Sequence, residues 1–311
     1  MSEFHSDNNF FLARKSHTLQ RRAEFIQSIR LFFIQNNFLE VETPLRIPAP
    51  APEEHIEALR SEDWFLQTSP ELCMKRLLAA GYPRIFQISK CFRAGERGDF
   101  HLPEFTMLEW YVAGFDYQQL MDQCEVMIWF VAKEMGIAEI NWQNHKINFA
   151  PRWERITVAD AFLKYAPISV DEAMARDIFD EILVDHIEPQ LGVGKPTFIY
   201  DYPAKLAALA KLKGDNPSVS ERFELYVGGL EIANGFSELT DAQEQRKRFE
   251  EALEKRAAKI LARYTMPEIF LQSLATLPAC AGIALGIDRL VMLMAGASRI
   301  DDVVAFTPEN L

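Results

Sequence analysis

The pattern of apolar and polar residues predicts six helices. In residues 18–36, apolar side chains from Leu19 to Ile34 repeat at helical spacing among basic and polar residues, which is typical of an amphipathic helix. A second helix is predicted to begin at Ser69, where Ser is a good cap and Pro70 suits the first helical position. The predicted helices cover residues 18–36, 69–80, 118–135, 171–187, 241–263 and 288–295.

Alternating apolar and polar residues predict strands between these helices. The predicted strands cover residues 38–41, 64–67, 84–89, 104–112, 223–227, 230–236 and 282–287. Residues 84–89 and 104–112 are expected to form a long hairpin, and the section between 118 and 196 is expected to be helical. Hairpins mixed with helices, without regular strand-helix alternation, predict an α+β fold. The chain also lacks the glycine patterns of dinucleotide-binding folds and P-loops.

Composition and charge restrict the class of protein. The chain has 311 residues, 49% of them hydrophobic and 25% charged, which excludes disorder, collagen and a small disulfide scaffold. The formal charge of -12 argues against a general nucleic-acid binder. The apolar runs are shorter than the about 20 residues that cross a bilayer. No secretory signal precedes the first helix, so we expect a cytoplasmic protein that does not bind membranes. The four scattered cysteines predict neither zinc nor disulfides.

One face of the strand 104–112 carries unusual polar residues. Glu109 and Tyr111 share that face with Phe105 and Met107, while the other face is apolar throughout. A carboxylate and a phenol on a central strand indicate a binding site. The alternative is an edge strand with one face in water.

Acidic residues also interrupt the apolar strand 230–236 and its surroundings. Glu231, Asn234 and Glu238 occur in this segment, and Glu224 lies across the Gly228-Gly229 turn on the preceding strand. Buried acids are costly unless a cation or hydrogen-bond donors meet them. Glu224 and Glu231 could therefore hold a divalent ion such as magnesium. The alternative is a hairpin with two acids facing solvent.

The segment 282–289 has small residues on one face. Gly282, Ala284 and Gly286 make that face nearly flat, so that a planar ligand or a phosphate chain could lie against the backbone. Arg289 follows at the start of a helix, where a guanidinium can clamp a phosphate. Tight packing of a helix on the strand would explain the glycines equally well.

These segments, in this order, resemble the three motifs of class II aminoacyl-tRNA synthetases. Pro44 after a helix and a short strand resembles motif 1, residues 91–109 resemble motif 2, and residues 282–289 resemble motif 3. Residues 68–72 and 232–241 are similar to the lysine-specific subgroup. The resemblance covers essentially the whole chain. It implies one catalytic domain over residues 1–311, with an antiparallel sheet flanked by helices.

The resemblance also points to one branch of this subgroup. A lysyl-tRNA synthetase carries an N-terminal barrel that grips the anticodon, whereas the motif 1 helix here begins by about residue 18. We therefore expect no anticodon-binding domain and no stable tRNA binding. The chain is similar to truncated paralogues that join (R)-β-lysine to a lysine side chain of elongation factor P. Ala284 agrees with this branch, because the tRNA synthetase is expected to have glycine there.

The resemblance implies roles for residues that would bind ATP and magnesium. Arg93 would bridge the amino acid carboxylate and the α-phosphate, and His101 would contact the phosphates. Arg289 would bind the γ-phosphate and one face of the adenine, and Phe105 the other face. The implied catalytic residues are Arg93, Glu231 and Arg289, and the implied magnesium ligands are Glu224 and Glu231. The implied ATP site comprises Arg93, Ala94, Gly95, His101, Leu102, Phe105, Glu231, Ile232, Gly286 and Arg289. Ala94 and Leu102 depart from the family, which usually has Asn at both positions.

The resemblance also implies an amino acid site for lysine or (R)-β-lysine. Glu71 would meet the amine near the reacting carboxyl, while Glu109, Tyr111 and Glu238 would surround the ε-ammonium. The implied site comprises Ser69, Pro70, Glu71, Glu109, Tyr111, Asn234, Phe236, Glu238 and Ala284. Asn234 would orient the carboxylate, and Phe236 would line the aliphatic stem.

Three hypotheses of function remain open at this point. The first is an ATP-dependent ligase that forms an aminoacyl-adenylate and transfers the amino acid to elongation factor P. The second is a free-standing synthetase core that charges tRNA or a small acceptor. The third is a non-catalytic regulatory paralogue, and the retention of Arg93, Glu231 and Arg289 argues against it. The resemblance also implies a homodimer, with Pro44 at its interface.

Overall fold

In the computed structural model, which describes residues 12–259 and 261–311, eight strands form one central sheet. The strands of the described residues are β1 Leu39–Glu40, β2 Arg46–Ile47, β3 Arg60–Ser61, β4 Trp64–Leu66, β5 Arg84–Phe92, β6 Glu104–Ala113, β7 Glu139–Trp142, β8 His145–Asn148, β9 Glu154–Thr157, β10 Thr197–Pro203, β11 Val219–Val227, β12 Leu230–Ser237 and β13 Cys280–Gly286. The α-helices are α1 Ser16–Gln35, α2 Glu71–Ala79, α3 Tyr117–Glu134, α4 Val158–Tyr165, α5 Val170–Ala175, α6 Phe179–Ile182, α7 Ala242–Ala258, α8 Glu268–Ser273 and α9 Ile287–Met294.

The central sheet has the strand order β1-β5-β6-β13-β12-β11-β10-β9. All pairs from β5 to β10 are antiparallel, and only the outer pairs β1-β5 and β9-β10 are parallel. The predicted α+β fold with a mainly antiparallel sheet is therefore confirmed. Strand β6 lies inside the sheet between β5 and β13, so the alternative of an edge strand with a wet face is wrong.

One face of the sheet is covered by α1, α3 and α9. The side chains that point to this face include Leu108 and Trp110 of β6 and Ile283 of β13, all of them buried. Their neighbours in sequence point to the opposite face, as the alternation in residues 104–112 predicted. The opposite face packs against α2 and α8 at one end, and against α4 to α6 at the other.

Local signals account for the helix starts. The Asp116 carboxylate accepts a hydrogen bond from the backbone N–H of Gln119, and the side-chain oxygen of Gln119 accepts one from the backbone N–H of Asp116, so α3 begins with a capping box. Helix α2 begins at Glu71, after the predicted start at Ser69, because Pro70 occupies the cap position. The Ser69 hydroxyl still accepts a hydrogen bond from the Glu71 N–H at 3.0 Å.

The prediction of a helical section over residues 118–196 is confirmed for α3 but wrong for residues 139–157, which contain three strands. Strands β7 and β8 form a hairpin whose turn residues Gln143 and Asn144 have φ of 45° and 67°, the combination that a tight hairpin requires. The helix predicted over residues 171–187 is also interrupted. Helix α5 ends at Ala175, and Asp177 has φ of 57°, which breaks the helical path before α6.

Helix α7 ends at Ala258, whereas the predicted helix extended to residue 263. Residue 260, within that prediction, lies outside the described residues.

Within residues 12–259 and 261–311, no helix has the length and apolar character needed to span a bilayer.

Candidate active site

A cavity of about 750 Å³ opens on the face of the sheet opposite α1, α3 and α9. Its floor consists of β6, β11, β12 and β13, and the loop between β5 and β6 lies over one side. Residues 52–56, residues 204–209 and the side of α7 form the opposite rim. The cavity has the size of a site for a small ligand or cofactor.

Most of the residues predicted to bind ATP, magnesium or the amino acid line this one cavity. They are Ser69, Glu71, Arg93, His101, Leu102, Phe105, Glu109, Tyr111, Glu224, Glu231, Ile232, Asn234, Phe236, Ala284, Gly286 and Arg289. Four predicted residues are not part of its wall, namely Pro70, Ala94, Gly95 and Glu238. These residues come from four segments, 69–71, 93–111, 224–236 and 284–289, which are far apart in sequence and are brought together by the fold.

Arg289 joins three elements at one end of the cavity. Its Nη1 donates to the backbone carbonyl of Glu231 at 2.8 Å and lies 3.4 Å from the Glu231 carboxylate. Its Nε donates to the carbonyl of Phe100 at 3.2 Å, and its Nη2 contacts the ring of His101. Burial and the charge of Arg289 lower the pKa of His101, so its imidazole is neutral at pH 7 and can accept this bond.

The start of α9 is anchored beneath Arg289. Asp288 is 2% exposed, forms an ion pair with Arg22 of α1 at 2.5 Å, and accepts a hydrogen bond from the Thr106 N–H of β6 at 2.7 Å. These contacts fix the first turn of α9 against the sheet. The Arg289 guanidinium therefore projects from a rigid position, which a phosphate clamp requires.

Arg93 lies at the junction between the two ends of the cavity. Its guanidinium stands 5.1 Å from the centre of the Phe105 ring, and its closest carboxylate, Glu96, is 3.8 Å away. Among the described residues, its Nε is buried without a hydrogen-bond partner. A buried donor without a partner is costly, so Arg93 is held ready for an anionic ligand.

The departures from the family pattern at Ala94 and Leu102 have clear structural consequences. The Ala94 N–H donates to the Glu57 carbonyl at 2.7 Å, so this backbone donor already has a partner. Leu102 is 4% exposed and packs in the core formed with α1, α3 and α9, although its edge reaches the cavity. Neither side chain can offer a hydrogen bond to a ligand.

Glu109 lies at the opposite end of the cavity, near the middle of β6. It is 1% exposed and accepts hydrogen bonds from the Ser69 hydroxyl at 2.6 Å and the Tyr111 hydroxyl at 2.9 Å. Burial, with repulsion from Glu71, raises the pKa of Glu109 to about 8 in spite of these bonds. A carboxyl group in such surroundings ionises more readily when a cation binds beside it.

Lys75 of α2 is a feature of this end that the sequence analysis missed. Its ammonium lies 2.5 Å from the Glu71 carboxylate, also contacts the Glu238 carboxylate, and stands 5.1 Å from the centre of the Phe236 ring. Burial disfavours its charge, but Glu238 and Glu71 together raise its pKa above the ordinary value. The four-residue spacing of Glu71 and Lys75 on one helix is the signal that could have revealed the pair.

Glu238 therefore lies just beneath the cavity floor rather than on its wall. Burial raises the pKa of Glu238, and the ammonium of Lys75 opposes this shift. Its Oε1 is buried without a hydrogen-bond partner among the described residues. A Cβ atom at Gly282 would lie 2.7 Å from this oxygen and 2.1 Å from the Tyr111 ring. Gly282 is thus required by the packing of Tyr111 and Glu238, whereas Ala284 and Gly286 border the open cavity.

Glu224 and Glu231 occupy the same face of the β11-β12 hairpin but are not directly paired. Asn234 stands opposite Glu224, and Tyr226 stands opposite Glu231, because a bulge shifts the register after Leu225. Glu224 is 7% exposed, so the alternative of two acids facing solvent is wrong for this residue.

Glu224 is held by hydrogen-bond donors on several sides. It accepts from Tyr202 at 2.6 Å, from Tyr226 at 2.9 Å and from Arg222 at 2.6 Å. Arg222 is a second residue that the sequence analysis missed. Burial raises the pKa of Glu224, Arg222 opposes this, and Glu231 adds repulsion.

The pair Glu224 and Glu231 offers oxygen ligands suited to a hard divalent cation, and such a cation would relieve the repulsion between them. Within the described residues no group of three or more His, Cys, Asp or Glu side chains could hold a metal by itself. The pair fits magnesium only together with oxygens of a bound ligand.

Comparison with known proteins decides the family. The family model "tRNA synthetases class II (D, K and N)" matches residues 9–310. The chain belongs to this family. Among curated relatives, the elongation factor P–(R)-beta-lysine ligase of Proteus mirabilis is 39% identical over 305 residues, covering 93% of this chain and 94% of the relative.

Two further relatives carry the same name. The ligase of Vibrio atlanticus is 40% identical over 306 residues, which cover 93% of this chain and 94% of the relative. That of Salmonella typhi is 39% identical over 309 residues, which cover 94% and 95%. Membership of the class II synthetases confirms the expected catalytic core and the use of ATP.

Proposed function

We propose that this chain is an ATP-dependent ligase that activates (R)-β-lysine or lysine as an aminoacyl-adenylate and transfers it to a lysine side chain of elongation factor P. The observation that carries the proposal is the cavity itself. Arg93 stands between an end with Arg289 and His101 and an end with the half-buried carboxyl of Glu71 and the buried carboxyl of Glu109. One ligand end must therefore be anionic and the other cationic, as for a nucleotide beside a diamino acid.

In the first step the amino acid carboxylate would attack the α-phosphate of ATP and release pyrophosphate. Two anions must approach each other, so catalysis rests on positioning and on neutralising charge. Arg93 is proposed to bridge the carboxylate and the α-phosphate. Arg289 and His101 are proposed to bind the outer phosphates, with the adenine between Arg289 and Phe105, against Ile232 and Gly286.

Magnesium is proposed to bind to Glu224 and Glu231 together with phosphate oxygens. When bound, it would offset negative charge on the triphosphate. Glu224 is kept in place for this by Arg222, Tyr202 and Tyr226. Of Ala94, Gly95 and Leu102, only Leu102 lines the cavity, and it is assigned to the ATP site through its apolar surface. Ala94 and Gly95 are assigned to the site only as neighbours of Arg93.

The amino acid is proposed to bind with its ε-ammonium at Glu109, Tyr111 and Glu238. The unpartnered Oε1 of Glu238 and the raised pKa values of both acids support this place for a cation. Glu71 would meet the amine near the reacting carboxyl, and Asn234 would orient the carboxylate. Ser69 and Pro70 set the start of α2, while Phe236 and Ala284 border the aliphatic stem.

Elongation factor P is proposed as the acceptor because the relatives named for it match almost their full length. Such an acceptor places the proposed reaction in the cytoplasm, and tRNA is proposed not to be a stable partner. The alternative, a synthetase core that charges tRNA, would use the same first step. The two functions differ only in the nucleophile that enters the cavity.

The proposal is tested in two stages. ATP–pyrophosphate exchange, measured with (R)-β-lysine, lysine and ornithine, is expected for the first two amino acids and greatly reduced for the third, whose stem is too short to reach Glu109. Labelled amino acid is then followed after addition of elongation factor P or tRNA and treatment with ribonuclease. Label that survives ribonuclease on the protein supports the ligase. Label that ribonuclease releases contradicts it.

A further inference from the structure

Glu53 has a carboxylate on the cavity wall, and the proposed activation step assigns it no role. It belongs to the loop between β2 and β3 and lines the cavity together with Arg93 and Glu71. Among the described residues its carboxylate has no hydrogen bond and no ion pair. The other acids of this region are occupied, Glu71 by Lys75, Glu109 by Ser69 and Tyr111.

The loop that carries Glu53 is held rigidly by Arg256 of α7. Arg256 is 1% exposed, and its Nη1 donates to the carbonyls of Glu53 and Ile56, both at 2.7 Å. Its Nη2 lies 2.5 Å from the Glu57 carboxylate. A buried arginine with this many carbonyl partners fixes the backbone. The position of Glu53 in the cavity is thus built into the fold.

The electrostatic surroundings of Glu53 come from several elements. Burial raises its pKa to about 7, opposed by Arg93 of the β5-β6 loop, Arg222 of β11 and Arg256 of α7, and reinforced by Glu71 of α2. Its neighbour Glu54 behaves differently. Burial would raise the pKa of Glu54, but hydrogen bonds from Lys255 and Lys259, each at 2.9 Å, lower it to about 2.

The transfer step needs a proton acceptor near the reacting carboxyl. A lysine side chain has a pKa of about 10.4, so at neutral pH only about one acceptor lysine in a few thousand is an uncharged nucleophile. Arg93 and Glu71 flank the proposed position of the reacting carboxyl, and both interact electrostatically with Glu53. A carboxylate there with a free oxygen can both attract an ammonium and take its proton.

We propose that Glu53 is the general base of the transfer step, accepting a proton from the ε-ammonium of the acceptor lysine. The inference rests on the proposed function. Glu53 takes one proton, which leaves a neutral amine with a free electron pair. The amine nitrogen forms a bond to the acyl carbon of the adenylate, and the bond from that carbon to the phosphate oxygen breaks, so AMP departs. The nitrogen then loses a second proton to water. Glu53 finally releases the first proton to water, which restores its carboxylate.

The test compares Glu53→Gln with the matched variant Glu54→Gln in single-turnover transfer. Adenylate is formed from ATP and (R)-β-lysine and then mixed with elongation factor P or with hydroxylamine, a nucleophile that is already uncharged near pH 7. For Glu53→Gln we expect transfer to elongation factor P at pH 7 to fall about 100-fold, the lower end of the usual contribution of a general base. Hydroxylamine should react as in the wild type, and Glu54→Gln should transfer normally.

The pH dependence gives a second readout. The wild-type transfer rate should level off above the pKa of Glu53, whereas the rate of Glu53→Gln should keep rising with pH as more acceptor lysine loses its proton. Transfer by Glu53→Gln within about threefold of the wild type at pH 7 would overturn the assignment. Equal loss with hydroxylamine would also overturn it, since the defect would then precede transfer. A wild-type protein that forms the hydroxamate but never modifies elongation factor P contradicts the proposed function instead, and this inference falls with it.

Discussion

Lys75 and Glu238 form a buried ion pair beneath the cavity floor, with side chains that are 1% and 0% exposed. Together with Glu71 and Glu109, they give this end of the cavity three carboxyls and one ammonium. If all are ionised, the sum is a charge of minus two, which matches the two ammonium groups of lysine or (R)-β-lysine. Lys75 is therefore proposed to tune the pocket to a diamine.

Removing Lys75 should destabilise the protein and weaken amino acid binding. In Lys75→Met, Glu71 and Glu238 are left without their partner, and breaking a buried pair of this kind costs about 3 kcal/mol or more. Denaturant unfolding measures this loss, and calorimetry should show weaker lysine binding with ATP binding unchanged. Arg76→Met, which removes an exposed charge from the same helix, serves as the control. An unfolding free energy of Lys75→Met within about 0.5 kcal/mol of the wild type would argue against the role.

Amino acid binding should release a proton near neutral pH. The pKa of Glu109 is raised from 4.5 to about 8, so the carboxyl is mostly protonated at pH 7 in the free protein. A bound ammonium favours the ionised form and lowers this pKa, so affinity should increase from pH 6 to pH 8 and then level off. Calorimetry in buffers of different ionisation enthalpy measures the released proton.

The variant Glu109→Gln is the control for this proton release. It keeps the shape of the side chain but has no proton to lose, so the buffer dependence should largely disappear. An affinity for lysine that does not change between pH 6 and pH 8 in the wild type would show that Glu109 is already ionised.

Arg93→Ala should abolish adenylate formation and leave the fold intact. The buried Nε without a partner indicates that the guanidinium awaits an anion, so its loss removes stabilisation of the transition state rather than a structural contact. Loss of one such group typically lowers the rate about 100- to 1000-fold. ATP–pyrophosphate exchange measures the effect, and Lys90→Ala on the preceding strand removes an exposed charge as the control. Exchange near the wild-type rate would refute the assigned step.

The homodimer that the family resemblance implies predicts a specific effect of surface variants. Leu31, Ile34, Leu39 and Leu45 are exposed apolar side chains in the motif 1 segment before and after Pro44. Such a group of residues is typical of a covered interface. Sedimentation should show a dimer at micromolar concentration, and Ile34→Lys should shift it toward the monomer. The control Leu163→Lys, on the exposed surface of α4, should leave the dimer unchanged. A wild-type monomer would exclude the interface.

The parts of the site that were predictable from sequence lie on strands. Alternation along β6 and β13 separates cavity residues such as Glu109 and Ala284 from core residues such as Trp110 and Leu285, and the structure confirms this division. Period-two alternation survives folding because one face of a central sheet must be apolar.

The parts that were missed depend on contacts between distant segments. In the sequence, Lys75 resembles an ordinary helical lysine, because its contact with Glu238 at the end of β12 forms only in the folded protein. Glu53 lies in a proline-rich loop without periodicity, and only Arg256, about two hundred residues later, fixes it in the cavity. The β7-β8 hairpin was missed for a different reason, since Gln143 and Asn144 are weaker turn signals than Asn-Gly.

The most direct test of the account is the intact mass of elongation factor P after incubation with this protein, ATP and (R)-β-lysine. Elongation factor P with its acceptor lysine changed to arginine, and tRNA in place of elongation factor P, provide the controls. The account predicts a gain of one β-lysyl unit on wild-type elongation factor P, no gain on the arginine variant, and uncharged tRNA. Unmodified elongation factor P together with ATP-dependent charging of tRNA would contradict it.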